Sequence, residues 1–480
     1  MVEHSVFLGT EKHATVKDVY AALDAIGVHH GLSCNAFTGF TRTTYVLNAP
    51  TSHAGRSTLG PALDVLCQIV MHPTFPEAAF ELEKRAVLSE ARRTKTVGFL
   101  ATQELYRCLH HEVSLSRRMP IGQEEQIAGW PVSRARDFHR RWYRPHNLRL
   151  YLVGDVNVDE AMAVIRRTFG AIPAAPQAEQ LRLGLLPHQF HQPPPQRIHV
   201  FTHPQLSVVS VEIMEKLPYG RRDTYRDGAL VLLDGMLALL LQTRISFLQQ
   251  VERGSGVAAR APDTSSGEEV TAESARASAV LGVEMTVDDA ESQEHCSYTR
   301  VTVHASPLRW REALIVVVRE LTRMAEHGVT DDEMKLMLSV ATQGAMMMAS
   351  DDLMTDAKSL MTSLISEDLV GEVTLSPRQE IMALEKLAQF ATKDAFVAAA
   401  RRTLAFLRHA GRPPEEQVPA AVCVRVMAPS VVRPDLLDEE ALRRAVAEGA
   451  GAGGGVRTTE QHGVADAGDA DEGAAADETA

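Results

Sequence analysis

Met1-Val2-Glu3-His4-Ser5-Val6-Phe7-Leu8-Gly9-Thr10 opens the chain, and its Glu-His pair has the form of the last two letters of an H-x-x-E-H pattern. In that pattern two histidines stand one helical turn apart on a single face, and the glutamate beside the second can take a proton from water. Only x-x-E-H is present here, and the first histidine would stand immediately before Met1. Taken alone, a Glu-His pair near a chain end is ordinarily a solvated helix terminus, so its weight depends on what else the sequence brings to it.

Phe80-Glu81-Leu82-Glu83-Lys84-Arg85-Ala86-Val87-Leu88-Ser89-Glu90 lies in a helical pattern that begins after Pro76. Glu83 and Glu90, seven residues apart, return to nearly the same helix face two turns apart. Two carboxylates can therefore address one site, one as a ligand and one as its support. The alternative for such a pair is a charged solvent face on an amphipathic helix.

Glu3-His4 through Gly9-Thr10, the stretch Cys34-Asn35-Ala36-Phe37-Thr38 with Thr44-Tyr45, and the Glu83 to Glu90 helix together resemble the family that contains pitrilysin, insulin-degrading enzyme and the mitochondrial processing peptidases. Arg117-Arg118-Met119-Pro120-Ile121-Gly122, Arg141-Trp142-Tyr143-Arg144-Pro145-His146-Asn147 and Val153-Gly154-Asp155 resemble its chloroplast stromal processing peptidase branch more closely. The blocks fall in family order, strongly from Met1 to about Asp155 and more weakly to about Arg412. The resemblance implies that His4 and Glu90 are zinc ligands, Glu3 the general base, Glu83 the supporting acid, and Asn35-Ala36 part of an edge strand that pairs with an extended peptide. The separation of His4 from Glu90 is longer than is usual for the family, and the turn-rich loop Leu47 to Arg56 accounts for the excess.

One zinc ion is expected, in a site that lacks one ligand in this chain, because a catalytic zinc normally has three protein ligands and an open position. With Glu3, His4, Glu83 and Glu90 all in place, the expectation is a chain that begins inside the motif rather than a decayed site. The implied activity is zinc-dependent endopeptidase action on transit peptides or other short extended peptides in the chloroplast stroma. A second peptidase-like half or subunit would close the chamber. The competing reading is a non-catalytic peptidase-like subunit or scaffold. The family's later arginine and tyrosine that bind substrate cannot be placed, although Tyr219-Gly220-Arg221 and Tyr225-Arg226 hold the right residue types.

Composition agrees without naming a task. At 480 residues, 45% apolar and 23% charged, the chain can bury more than one core. The net charge of −13 argues against a nucleic-acid partner, and roughly half of it falls in the Gly/Ala/acid tail after Gly449. Five cysteines, Cys34, Cys67, Cys108, Cys296 and Cys423, show no C-x-x-C spacing and read as separate thiols in a reducing compartment. The longest apolar run, Ala229 to Leu241, is short for a membrane span and carries Asp234. His29-His30 and His110-His111 are not chelates, since adjacent side chains diverge. Met346-Met347-Met348 reads as packing filler.

The order of elements predicts an α+β fold of two similar α/β-sandwich units, strands with helices on one face, closed like a clam. The first unit spans 1–185, with Leu148 to Val153 as a strand and helices at about 58–71, 76–95, 98–115, 132–142 and 158–169. A Pro-rich linker follows at 186–197. The second unit spans 198–432 with a mobile insertion at 253–278, and 433–480 is a tail, disordered from about 449.

Overall fold

The computed structural model describes residues 1–113, 115–173, 197–218, 224–254, 278–289, 296–351, 356–410, 422–430, 432 and 437–451. The Pro-rich stretch before Arg197, most of the predicted insertion, the Tyr219-Gly220-Arg221 triplet and the end of the tail lie outside them.

The first unit begins with helix α1 (Val2–Ser5) and α2 (Val16–Asp24), then the antiparallel pair β1 (Cys34–Thr38) and β2 (Thr43–Leu47) and the short hairpin β3 (Ser52–His53) and β4 (Arg56–Ser57). Helices α3 (Leu59–Met71), α4 (Glu77–Thr94), α5 (Val97–Leu109), α6 (Glu124–Gly129), α7 (Val132–Trp142) and α8 (Val158–Arg167) complete it. The second unit runs β5 (Ile198–His203), β6 (Val209–Pro218), α9 (Tyr225–Gly254), β7 (Val280–Asp289), β8 (Cys296–Ala305), α10 (Trp310–His327), α11 (Asp331–Asp351), α12 (Ala357–Val370), α13 (Pro377–Ala388), α14 (Lys393–Thr403), α15 (Ala405–Ala410), β9 (Val422–Pro429) and α16 (Glu439–Gly449). Local signals explain many of these boundaries. Thr15 and Asp18 form a capping box on α2, and Ser376 and Gln379 form one on α13, where Pro377 takes the first helical position.

Both units are α+β, and the same order appears twice. A strand pair followed by two helices occurs as β1-β2-α3-α4 and as β7-β8-α10-α11, and the Val158–Arg167 helix stands where α16 stands. The second sheet has the order β5-β9-β6-β8-β7, with β5 parallel to β9 and all other pairings antiparallel. Among the described residues the predicted strand Leu148 to Val153 pairs with no other strand, and it is an irregular extended segment rather than part of a sheet.

Alternation of side chains sorts the second sheet into two buried faces. Val209, Val211 and Ile213 of β6 and Val422, Val424 and Val426 of β9 face the main core with α9, α10 and α14. Ser210, Glu212, Met214 and Lys216, with Cys423 and Arg425, point the other way. There they meet α5 of the first unit in a small cluster of Cys108, Leu109, Met214 and Cys423. Two buried ion pairs lie along this seam. Arg425 donates to Glu212 through Nε at 2.8 Å and Nη2 at 2.7 Å, and its Nη1 reaches the Ala101 carbonyl. Lys216, with its side chain fully buried, pairs with Glu112.

Two sequence expectations need correction. Cys108 and Cys423 are joined as a disulfide, with Cα atoms 6.4 Å apart, rather than standing as separate thiols. Helix α16, inside the stretch assigned to the tail, packs Leu442, Ala445 and Val446 into the second core against α10. Helix α9 is long and apolar enough to pass for a membrane span. It is a core helix, with Leu233, Met236, Leu237, Leu240 and Leu241 all buried, and with Asp234 held by Arg402 at 2.8 Å and Thr403 at 2.7 Å.

Candidate metal centre

Helix α4 buries Phe80, Lys84, Val87 and Ala91, a stripe at spacings of four, three and four that fixes its rotation. Phe80 sits in the first core with Val6, Phe7 and Leu8 from the segment that follows α1. This packing lays α1 across α4 and turns Glu83 and Glu90 toward His4. Nδ1 of His4 lies 2.8 Å from Oε1 of Glu83, and Nε2 lies 3.3 Å from Oε2 of Glu90. One imidazole is thus held between two carboxylates that are far from it in sequence.

The geometry suits a metal ligand pair. Bonds of about 2.0–2.2 Å from N and O donors, meeting at a tetrahedral angle, place the donors about 3.4 Å apart, close to the observed separation. A carboxylate on Nδ1 fixes the tautomer that leaves the Nε2 lone pair free to ligate. The Glu83 hydrogen bond raises the His4 pKa above 6.5, and the same bond lowers that of Glu83. Among the described residues no third side chain completes a three-ligand set around His4 and Glu90.

Glu3 lies next to this pair, and its carboxylate accepts a hydrogen bond from the Thr38 hydroxyl at the end of β1. The Met1 amine is also close. Burial lowers its pKa, opposed by Glu3, Glu90 and Glu83 in that order. Asn35 and Ala36 lie on β1, which among the described residues forms a sheet with β2 alone and leaves its other edge at Asn35-Ala36 unpaired beside α1. Asn35 is exposed, and its side-chain oxygen accepts the Ala36 N–H at 2.9 Å. The paired histidines diverge as expected: His29 bonds Asp24 at 2.9 Å, while His30 stacks on Tyr20.

A cavity of about 1890 Å³ opens from Glu3, His4 and Glu90. It extends between β2 and the extended segment 148–153, where the second unit has a strand. Three groups on its walls were not singled out in the sequence as parts of the site. Thr38 orients Glu3. The hydroxyls of Tyr45 and Tyr143 meet at 2.7 Å, and burial raises both of their pKa values. Helix α12 of the second unit lends Met361, Ile365 and Leu369 to the cavity wall and carries Asp368, which binds both Arg149 and Tyr151. No local pattern marks these residues, because each matters only through a partner in another element.

Residues 1–106 match the sequence profile described as Insulinase (Peptidase family M16), and residues 131–339 match that described as Peptidase M16 inactive domain. The chain is 28% identical over 470 residues to the chloroplastic stromal processing peptidase of Pisum sativum, covering 86% of this chain and 34% of the relative. It is 27% identical over 178 residues to the probable zinc protease PqqL of Escherichia coli, covering 37% of this chain and 19% of the relative. The chain thus spans about a third of the length of the stromal peptidases it matches. Among solved structures, the first half of the periplasmic protease PqqL from Escherichia coli superposes with a TM-score of 0.76 at 19% identity, over 95% of this chain and 88% of that one. The ferredoxin protease FusC in complex with Arabidopsis ferredoxin gives 0.69 at 18%, over 97% and 46%. The fold likeness covers both units, and the two adjoining profile matches name the same group: the chain belongs to the pitrilysin/insulinase-type M16 peptidase family.

Proposed function

We propose that this chain is the metal-bearing half of a zinc-dependent endopeptidase that cleaves transit peptides or similar extended segments in the chloroplast stroma, with a second peptidase-like half or subunit closing the chamber. The observation that carries the reading is His4 held between Glu83 and Glu90. His4 and Glu90 would hold the ion, which when bound polarises the scissile carbonyl and acidifies water. Glu3, held by Thr38, accepts the proton released on attack and returns it to the departing amine. Glu83 keeps the His4 ring in the ligating tautomer. The free edge of β1 at Asn35-Ala36 takes the substrate by strand addition, which supplies affinity with little demand on sequence.

The test compares the chain beginning at Met1 with a form extended upstream so that a histidine stands immediately before Met1. The extended form should bind one zinc and cut a fluorogenic transit peptide, whereas the Met1 form should retain little zinc and cut poorly. Glu3→Gln in the extended form should lose turnover and keep metal. An extended form that binds no zinc would refute the peptidase reading and leave a non-catalytic subunit of the same fold.

A further inference from the structure

At the seam between the units, two sulfurs and an imidazole converge. Cys108 lies in the last turn of α5 of the first unit, Cys423 lies on β9 of the second, and His199 lies on β5, which is parallel to β9. The two sulfurs and a His199 ring nitrogen all lie within 4.8 Å of one another. Both cysteines are 1% exposed, whereas His199 is partly open to solvent. The cysteines are separated by 315 residues in sequence, and their Cα separation of 6.4 Å lies within the range a disulfide spans.

We propose that Cys108 and Cys423 are a dithiol–disulfide exchange site that clasps the two units together, with His199 as the positioning base. Formation needs a low-molecular-weight or protein disulfide as oxidant. One Cys thiol gives its proton to His199 and attacks the oxidant, forming a mixed disulfide and releasing one thiolate, which takes the proton. The second Cys then attacks the first, expels the other half as a thiol, and closes the bond. Two electrons and two protons leave the cysteines, and the oxidant becomes two thiols. Because both sulfurs are buried, exchange requires the seam to part, so the bond records and then holds the closed arrangement of α5 on β9. The remaining cysteines make suitable internal controls. Cys34 and Cys67 are buried, which pushes each thiol up to about 11 and makes it a poor nucleophile.

The proposal is independent of the zinc reading and is tested on the full chain equilibrated in glutathione buffers from reducing to oxidising. The samples are acid-quenched, then alkylated under denaturing conditions and weighed intact. The oxidised sample should carry two fewer alkyl groups, with non-reducing peptide maps joining Cys108 to Cys423. Its thermal midpoint should be higher by about 5 °C or more. Cys108→Ser and Cys423→Ser should each erase the difference between buffers. His199→Asn should slow closure about tenfold or more without moving the final equilibrium, a split that a purely structural role would not give. Five alkylatable cysteines in every buffer would overturn the proposal, as would equal midpoints in the two buffers. One zinc retained by the His4→Ala chain and lost with Cys108→Ser would show a metal site in its place.

Discussion

Glu83 and Glu90 both touch His4, and their roles separate when each is replaced in the extended form that carries the upstream histidine. On the proposed assignment, Glu90→Gln removes a direct ligand. Glu83→Gln leaves the ligands and removes only the carboxylate that fixes the imidazole, 2.8 Å from Nδ1. Loss of an outer partner of this kind costs about 10–100-fold in metal affinity, or about 1.4–2.8 kcal/mol. Loss of a ligand from a three-ligand site should cost more, at least about 3 kcal/mol, since ligand binding is the direct source of the site's affinity. Competition for zinc against a chromophoric chelator, at fixed pH with each variant checked for fold by far-UV circular dichroism, gives both constants. The expected order is parent, then Glu83→Gln, then Glu90→Gln. Equal affinity in the parent and Glu90→Gln, or a larger loss in Glu83→Gln than in Glu90→Gln, would refute the assignment of Nε2 and Glu90 as the ligating atoms.

Arg425→Met strands the Glu212 carboxylate, 4% exposed, without its bidentate partner. It should cost about 3–5 kcal/mol in urea unfolding, and the Arg425→Met/Glu212→Met double variant should recover most of that. Gly449→Ala should destabilise by about 1–3 kcal/mol, because its new Cβ would stand 2.7 Å from Val318 Cβ and 3.0 Å from the Ile315 carbonyl across the α10–α16 contact. A thermal midpoint no lower than that of the parent would contradict this packing. His139 is packed against Phe75 and Tyr143, with Nε2 2.8 Å from the Val70 carbonyl, and burial holds its pKa below 6.5. The unfolded chain therefore binds the proton more readily. The His139 contribution is present above about pH 6.5 and is lost as pH falls through the lower folded value. The gap in thermal midpoint between parent and His139→Gln should narrow from pH 7 toward pH 5, and a gap that widens would contradict the sign.

The site was legible to the extent that its parts obey short periodicities. A seven-residue spacing on one helix places Glu83 and Glu90 on one face whatever the rest of the chain does, and Glu3-His4 is a local pair. The convergence of His4 on that face depends on Val6, Phe7 and Leu8 packing against Phe80, a contact that periodicity cannot supply. The seam was illegible for the same reason. Cys108 and Cys423 meet because a helix of one unit covers the second face of the other unit's sheet, and nothing near either cysteine encodes this. Leu148 to Val153 has the alternation of a strand, but alternation reports only that one face is buried and the other open. Pairing also needs neighbours, which its counterpart β9 has in β5 and β6. Helix α16 was lost in a stretch of Ala, Glu and Arg, a composition that fits a solvated tail until Leu442, Ala445 and Val446 are seen on one face.

The duplication also bears on why the proposed metal centre lies in one unit. By element order, α9 and α11 are the second unit's counterparts of α1 and α4. No His-Glu or Glu-His pair occurs on α9, whose inward residues are Leu233, Met236, Leu237, Leu240 and Leu241. On α11, Glu333 is committed to Arg244, at 2.8 Å from its Nε. Arg244 also bonds Glu320 and the Gly328 carbonyl, a network that ties α9 to the α10–α11 turn. On the helices that correspond by order to those bearing His4, Glu83 and Glu90, the second unit thus carries aliphatic packing and a structural ion pair. It contributes instead the apolar wall of α12 and the sheet face that receives α5. On this argument, substitutions on α12 such as Met361→Ala should act on peptide binding and leave zinc affinity unchanged, while those on α4 should do the reverse.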